Sequence, residues 1–320
     1  MRKCAIIMYH YVRELQYTRY PGIKGLKTSL FKEQLAYMRK YYNFVRHTDL
    51  LDAIYKGKEL PPNAAWLTFD DAYLDHYNNV FPILDDFGIQ GGFFAPVKAV
   101  TKHEVLDVNK IHFILASDVG TQNLIKDIFS LLAKNKKEYL LESGDYYYKK
   151  LAKANRFDNA DVIFIKRLLQ VELPEKLRRI ITNTLFKKYV SNDEESFSRE
   201  LYMNTDQMKC MIRHGMYIGS HGFDHYWLNS LSPERQAQEI DKSLKFLKNI
   251  GSDVDNWIMN YPYGGYNDSL INIIKQKGCK FAITTNVKTA DFDIDNIYTL
   301  PRLDTNDIPI DRNATFKETL

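Results

Sequence analysis

Two short segments of this chain carry the residue types that a hydrolytic metal site needs. Asp70 and Asp71 are adjacent in the run LTFDDAY, and His221 lies four residues before His225 in the run GSHGFDHYW. One carboxylate and two imidazoles form a ligand set that hydrolytic zinc sites use when they leave positions open for water and substrate. The second carboxylate would then be free to act as a base. The pattern therefore predicts a metal-dependent hydrolase.

Each segment follows a short apolar run that is typical of a buried β-strand. Residues 64–69 precede the aspartate pair, and residues 216–220 precede the histidine pair. Active-site residues of α/β barrels and open parallel sheets lie at the carboxyl ends of the strands. Each pair alone has an ordinary explanation, because aspartate pairs occur in loops and two histidines at this spacing can simply pack. Two strand ends with complementary ligands are much less expected by chance.

Seven apolar or β-rich runs alternate with helical periodicity, which indicates parallel strands joined by right-handed crossovers. The runs cover residues 4–9, 64–69, 91–95, 216–220, 257–261, 279–284 and 297–302. One helix is predicted after the N-cap Ser232 and ends at Gly251, and another runs from Asn267 to Gly278. Seven strands fit an incomplete α/β barrel, a fold that uses about 250 residues.

The segment 101–205 differs from the rest of the chain, because it has few strand signals and repeated helical patterning. Its length exceeds that of a connecting loop. We therefore predict a first barrel part over residues 1–100, a helical insertion over 101–205 and a second barrel part over 206–320. The insertion could form a lid over the site, a dimerisation surface or an elaboration without a role.

The composition fits a globular enzyme without a nucleic-acid partner. The 44 basic and 40 acidic residues give a net charge of only +4, and 45% of the residues are hydrophobic. The three cysteines, Cys4, Cys210 and Cys279, stand apart in apolar contexts, which favours buried thiols in a reducing compartment. No run approaches the ~20 apolar residues of a membrane helix. The N-terminus lacks a signal-peptide pattern, so we expect a cytoplasmic protein.

The motifs resemble those of the polysaccharide deacetylase family, the NodB-homology proteins or family-4 carbohydrate esterases. Residues 68–71 match the first motif of that family, and residues 220–225 match its second, a His-x-x-x-His pattern. Residues 260–264, NYPYG, resemble the third motif, which shapes one wall of the groove. The resemblance implies a distorted (β/α)7 barrel, here with a helical insertion, that removes acetyl groups from N-acetylated sugars.

The resemblance also implies a role for each motif residue. Asp70 is the general base, while Asp71, His221 and His225 hold the metal. Zinc is the expected ion, although cobalt, nickel or iron(II) would be accepted by the same donors. The carbohydrate substrate is expected to meet an aromatic wall, and the backbone N–H of one wall residue would hold the oxyanion. The wall residues are Trp227, Pro262 and Tyr263, and Tyr263 is the one that supplies the backbone N–H.

The sequence departs from the family pattern in two places. The third motif usually holds an arginine that orients the catalytic aspartate, but residues 259–261 of this chain contain none, and no histidine follows His225 to serve as general acid. His10 resembles the N-terminal Tyr-His of a permuted subgroup that deacetylates poly-N-acetylglucosamine, so we expect it to protonate the leaving nitrogen. First and last strands of a closed barrel are neighbours, so a catalytic group can move between them. Arg302 is the expected substitute for the orienting arginine.

Three functions stay open on the sequence alone. The first is an N-deacetylase that acts on a cytoplasmic intermediate of surface-glycan assembly, such as a nucleotide- or lipid-linked sugar. The second is a hydrolase of the same fold that acts on a formamide or a small non-sugar amide. The third is a catalytically silent carbohydrate-binding protein, which the presence of all four expected site residues disfavours and the missing late motif keeps open. The sugar, its length, the acyl group and the oligomeric state are not determined by the sequence.

Overall fold

All strands found in the described residues lie in one of the two units into which the chain divides. The computed structural model describes residues 2–155 and 158–316. Unit 1 consists of the described parts of Met1–Glu14, Gly25–Glu104 and Ser198–Leu320, and unit 2 consists of those of Leu15–Lys24 and Val105–Phe197.

One sheet contains the nine strands found in the described part of the chain. They are Lys3–Tyr9 (β1), Asn43–Phe44 (β2), Ala64–Asp70 (β3), Gly91–Ala95 (β4), Tyr217–Ser220 (β5), Met259–Asn260 (β6), Ala282–Ile283 (β7), Ala290–Asp291 (β8) and Leu303–Asp304 (β9). The strand order is β7-β6-β5-β4-β3-β1-β8, with β2 beside β3 and β9 beside β1. Every pair is parallel except β1 with β8.

Residues 300–304 close this sheet into a distorted barrel. Leu303 of β9 pairs with Ile7 of β1, and Leu300 makes a parallel bridge with Ile283 of β7. The segment therefore links the β7 edge to β1 and completes a ring of seven members, which confirms the predicted barrel. The last strand begins at Leu303 and not at residue 297 as predicted, because Pro301 lacks the N–H that a continuous ladder would use.

Thirteen α-helices and five shorter helical turns accompany the strands in the described residues. The α-helices are Thr28–Tyr41 (α1), His47–Lys56 (α2), Phe81–Asp86 (α3), Val97–Lys102 (α4), Asp107–Leu115 (α5), Thr121–Tyr139 (α6), Gly144–Leu151 (α7), Ala160–Arg167 (α8), Glu175–Tyr189 (α9), Glu194–Leu201 (α10), Thr205–Arg213 (α11), Pro233–Ile250 (α12) and Asp268–Gln276 (α13). The turns are π-helical at His76–Val80 and Leu168–Glu172, and 3₁₀-helical at Leu228–Ser230, Pro262–Gly264 and Thr305–Asp307.

The two predicted helix starts are confirmed by their capping hydrogen bonds. Ser232 caps α12, which ends at Gly251 in a left-handed conformation, and Asn267 caps α13 by accepting the N–H of Leu270 at 2.9 Å. Across residues 2–155 and 158–316, no helix has both the length and the apolar composition needed to cross a bilayer.

Large apolar side chains fill the interior of the barrel. Trp66 of β3 and Phe94 of β4 belong to one buried cluster to which strands all around the ring contribute. A Cβ atom on Gly92 would lie 2.3 Å from Trp66, and one on Gly219 would lie 2.5 Å from Phe94. The two glycines therefore make room for the two rings. Because side chains alternate along a strand, Asp70 points to the same side as Trp66, above this apolar floor.

Helices cover the outer face of the same strands. Phe31 and Leu35 of α1 pack with Tyr9 and Phe69, and residues of α3, α11 and α12 extend the same buried cluster. The strands are thus buried on both faces, as parallel sheets usually are. This packing holds the strand ends in fixed relative positions.

Unit 2 is helical and has its own buried interior. It contains α5 to α9, whose apolar faces include Ile111 and Ile128. Residues 15–24 join this unit through the hydroxyl of Tyr20, which donates to the carbonyl of Val190 at 3.0 Å. A buried lysine, Lys110, pairs with Glu194 at 2.7 Å and thereby avoids the penalty of an unpaired charge.

Candidate active site

Polar residues from five segments of the sheet meet at the carboxyl end of the barrel. Asp70 is the last residue of β3, Asn260 is the last residue of β6, and His10 and His221 directly follow β1 and β5. Arg302 directly precedes β9. Parallel strands end at the same edge, so the fold brings the first four side chains together although they lie far apart in the sequence. Arg302 reaches Asp70 from the start of β9.

Three ligand atoms of Asp71, His221 and His225 face one another. Oδ1 of Asp71 lies 3.1 Å from Nε2 of His225 and 3.5 Å from Nε2 of His221. All three side chains are buried, and their ligand atoms lie within 4.8 Å of one another. Oδ1 of Asp71 has no hydrogen-bond partner among the described residues, which is unusual for a buried carboxylate. An unpaired carboxylate oxygen facing two ring nitrogens fits a divalent cation such as zinc.

The protonation states of this cluster also suit a cation. Burial by itself raises the pKa of Asp71, but the surrounding histidines, His225 foremost, together outweigh burial and hold that pKa well below its usual range. Burial lowers the pKa of His225, against the opposing effect of Asp71. An ionised carboxylate and a neutral imidazole are the forms that bind metal ions.

Two of the three ligand candidates are each held by a hydrogen bond with a residue outside the trio. The hydroxyl of Tyr73 donates to Oδ2 of Asp71 at 2.6 Å, which leaves Oδ1 as the oxygen that faces the imidazoles. Nδ1 of His221 lies 2.7 Å from the carbonyl oxygen of Asn260. A carbonyl only accepts, so Nδ1 carries the proton and Nε2 keeps its lone pair. The role of Tyr73 could not be predicted from the sequence, because aromatic residues are common around the motifs.

Arg302 binds both carboxylate oxygens of Asp70. Its two terminal nitrogens donate to Oδ1 and Oδ2 at 2.8 Å each, and its Nε donates to the carbonyl of Thr284 at 2.8 Å. The guanidinium is fully buried. Burial by itself raises the pKa of Asp70, but the charge and hydrogen bonds of Arg302 outweigh it and lower that pKa. Asp70 is therefore an ionised and immobile carboxylate.

Asn260 connects the ion pair of Asp70 and Arg302 to the histidine cluster, which consists of Asp71, His221 and His225. Its Nδ2 donates to Oδ1 of Asp70 at 2.6 Å, and its Oδ1 accepts from Arg302 at 3.1 Å. Its backbone carbonyl accepts from His221, as described above. The sequence placed Asn260 in the third motif without a role, and its position at the end of an apolar run was the only available signal.

His10 lies at the open side of Asp70. Its Nε2 is 3.8 Å from Oδ2 of Asp70, and 43% of its side chain is exposed. The carbonyl of His10 accepts a hydrogen bond from Nε2 of His76 at 2.8 Å. Burial lowers the pKa of His76 to about 4, so this imidazole is neutral and donates through Nε2. The backbone of His10 is thus fixed while its imidazole faces solvent.

The aromatic residues predicted to contact a sugar stack on each other. The rings of Trp227 and Tyr263 are 4.6 Å apart and within 1° of parallel, and Tyr263 also meets the ring of His225 edge-on at 4.7 Å. Both side chains are half-buried. Because their rings stack on each other, they form one wall and not two separate surfaces for a sugar ring. Pro262 is buried and begins the turn that carries Tyr263.

Four non-glycine residues of the site have left-handed backbone conformations. Their φ angles are 74° at Asp71, 56° at Ala72, 55° at His225 and 58° at Tyr263. Residues with side chains rarely adopt positive φ, and such strain accumulates at functional sites when the surroundings enforce it. Two of the four are residues of the histidine cluster, and a third touches it.

Comparisons with known proteins relate the chain to polysaccharide deacetylases. The polysaccharide deacetylase family model matches residues 181–282, which include both histidines and the third motif. YxkH of Bacillus subtilis (strain 168), provisionally named a polysaccharide deacetylase, is 32% identical over 109 residues, or 34% of this chain and 38% of that protein. The poly-beta-1,6-N-acetyl-D-glucosamine N-deacetylase of Escherichia coli (strain K12) is 43% identical over 64 residues, 20% of this chain and 10% of that protein. The matches thus span well under half the length of either relative.

Solved structures share the fold over nearly the whole chain. The deacetylase PplD of Streptococcus pyogenes, in complex with acetate, superposes with a TM-score of 0.59 at 18% identity and covers 94% of this chain and 92% of that chain. This similarity establishes that the mixed α/β barrel is the fold of polysaccharide deacetylases.

Substitution of Arg302 tests whether Asp70 depends on this ion pair. We expect Arg302→Met to lower the free energy of unfolding by about 3–5 kcal/mol, because the carboxylate of Asp70 is left buried and without its charge partner. Urea denaturation followed by circular dichroism measures the change. The control Arg312→Met removes the exposed partner of Glu33 and should leave the midpoint nearly unchanged. Equal losses in the two variants would show that burial of the pair has no special importance.

Substitution of Tyr73 tests the hydrogen bond to Asp71. We expect Tyr73→Phe to weaken zinc binding by about 10- to 100-fold, the usual effect of losing a partner that orients a metal ligand. Competition with a chromophoric chelator gives the dissociation constant. Tyr37→Phe is the matched control, because the buried hydroxyl of Tyr37 has no hydrogen-bond partner within residues 2–155 and 158–316. Wild-type affinity in Tyr73→Phe would contradict the assigned contact.

Proposed function

We propose that this chain, which belongs to the polysaccharide deacetylase family, is a metal-dependent hydrolase that removes the acetyl group from an N-acetylated sugar. The observation that carries the proposal is a fixed carboxylate, Asp70 held by Arg302, beside the cluster of Asp71, His221 and His225. A base that cannot turn away from a cation site is suited to activating water for attack on an amide. The name of the E. coli relative, an N-deacetylase of poly-N-acetylglucosamine, supports an N-acetylated glycan as substrate.

Asp71, His221 and His225 would hold the metal ion, with zinc as the first choice and cobalt, nickel or iron(II) as ions that the same donors accept. A bound divalent ion polarises the amide carbonyl and lowers the pKa of water at the site. The unpaired Oδ1 of Asp71 supports this assignment, because a cation would complete its interactions.

Asp70 acts as the general base. It takes a proton from the attacking water while the water oxygen forms a bond to the acetyl carbon. Oδ1 of Asp70 already accepts hydrogen bonds from Arg302 and Asn260, whereas Oδ2 accepts one from Arg302 and faces His10. Oδ2 is therefore the oxygen that receives the proton.

His10 acts as the general acid. When the bond between the acetyl carbon and the sugar nitrogen breaks, the imidazolium of His10 protonates that nitrogen, and acetate and a free amine result. The exposed imidazole on the Oδ2 side of Asp70 supports this assignment. The backbone N–H of Tyr263 would stabilise the oxyanion, and the stacked rings of Trp227 and Tyr263 with Pro262 beneath them would form the wall beside the sugar.

Acetate release from a panel of substrates tests the function. The panel contains N-acetylated sugars in monomeric, nucleotide-linked and β-1,6-linked oligomeric form, and the nucleotide-linked members test a role in surface-glycan assembly. The protein is reconstituted with zinc or cobalt, with EDTA-treated protein as control. Metal-dependent acetate release would support the proposal. Bound metal without acetate release would contradict it in favour of another amide, and absence of both would favour a carbohydrate-binding protein.

Two aspartate variants separate the base from the metal ligand. We expect Asp71→Ala to lose zinc binding, because the cluster loses its only carboxylate. Asp70→Asn should keep the zinc and lose turnover, because an amide cannot take the proton. Zinc content is measured by mass spectrometry and turnover by acetate release. Near-normal activity in Asp70→Asn would mean that another group is the base.

A histidine variant tests the general acid. We expect His10→Gln to lower kcat by about 10²- to 10⁴-fold, the usual contribution of a positioned acid, with unchanged affinity for zinc. His214→Gln is the control, because His214 is also an exposed histidine that faces a carboxylate, Asp85 at 3.0 Å. A normal kcat in His10→Gln would exclude His10 as the proton donor.

A further inference from the structure

A buried glutamate of α12 binds the loop that carries the two histidines. Oε2 of Glu239 accepts the backbone N–H of Phe223 at 3.0 Å and that of Asp224 at 2.9 Å. Glu239 is only 6% exposed, so both bonds are shielded from water. Burial raises the pKa of Glu239, whereas the two amide donors favour its ionised form and oppose that rise. Glu239 therefore fixes the backbone in the middle of the segment between His221 and His225.

The carbonyl groups of the same loop are bound from α4. The N–H of Val97 donates to the carbonyl of Gly222 at 3.3 Å, and the N–H of Lys98 donates to the carbonyl of Phe223 at 2.8 Å. The ammonium of Lys98 pairs with the carboxylate of Asp224 at 2.9 Å. The first N–H groups of a helix have no partner within it, so the loop satisfies them. The loop is thus held by its carbonyls on α4 and by its amides on Glu239.

His225 depends on this loop more than the other ligand candidates do. Asp71 is oriented by Tyr73, and His221 is oriented by the carbonyl of Asn260. Nδ1 of His225 is buried, and no group in the described part of the chain forms a hydrogen bond with it. His225 also has a φ of 55°, which its side chain disfavours. The position of its imidazole therefore follows from the backbone of the loop.

We propose that Glu239 is a positioning residue for the metal site. It acts through the amides of Phe223 and Asp224 and replaces, for His225, the direct hydrogen-bond partner that the side chains of Asp71 and His221 have. The inference rests on the proposed function in one respect, namely that Asp71, His221 and His225 bind a divalent cation.

Zinc affinity tests this proposal without any need for turnover. Competition with a chromophoric chelator gives the zinc dissociation constant of the full chain, and the visible spectrum of the cobalt complex reports the ligand geometry. We expect Glu239→Ala to raise the dissociation constant by about tenfold or more, the scale of losses outside the ligand set itself. Glu239→Gln should have a smaller effect, because the amide oxygen can accept the same two bonds without the charge. Glu234→Ala and Glu234→Gln, at an exposed position on the same helix, are the matched controls and should bind zinc normally.

The thermal midpoint of the metal-free protein distinguishes positioning from general stability. A lower midpoint in Glu239→Ala with wild-type zinc affinity and an unchanged cobalt spectrum would overturn the proposal. Should Glu239→Ala fail to fold, Glu239→Gln decides, and wild-type affinity with an unchanged spectrum in that variant would likewise overturn it. Wild-type protein that binds zinc but releases no acetate would contradict the proposed function and leave this test valid. Wild-type protein that binds no zinc would overturn both.

Discussion

The buried ion pair between Arg302 and Asp70 is the interaction on which the geometry of the site depends. Two charges removed from water are costly unless each finds close partners, and here every carboxylate oxygen of Asp70 has one. Arg302 lies in the segment 300–304, which links the β7 edge to β1. The segment that closes the barrel therefore also orients Asp70. If the ring did not close, the carboxylate of Asp70 would lie above the apolar floor of the barrel without its charge partner.

Asn260 links the ion pair of Asp70 and Arg302 to the candidate metal ligands. Its side chain binds Asp70 and Arg302, and its carbonyl binds His221, so one residue at the end of β6 fixes both the carboxylate and a ligand candidate. The relative positions of Asp70 and His221 are thus fixed at the strand ends of the sheet.

The sequence located the barrel and the residues at its rim, but it did not reveal how they are held. Short apolar runs followed by polar residues predict strand ends, and parallel strand ends meet, so Asp70 and His221 were expected to lie close together. The contacts of Asn260 and Glu239 could not be predicted, because a strand or helix pattern shows that a residue is buried and does not show what it meets. The last strand was predicted too early for a local reason, since the apolar run at 297–302 contains Pro301.

The left-handed residues of the site indicate that its shape is enforced by the surrounding structure. Each costs about 1–3 kcal/mol and persists only where its neighbours over-determine it. Asp71 and Ala72 follow a strand that is buried on both faces, and His225 ends a loop bound by Glu239 and by α4. The strain is therefore offset by contacts within the folded chain itself. A cation at the proposed site would meet ligands that are already in place and would not have to order the loop, so more of its interaction free energy would appear as affinity.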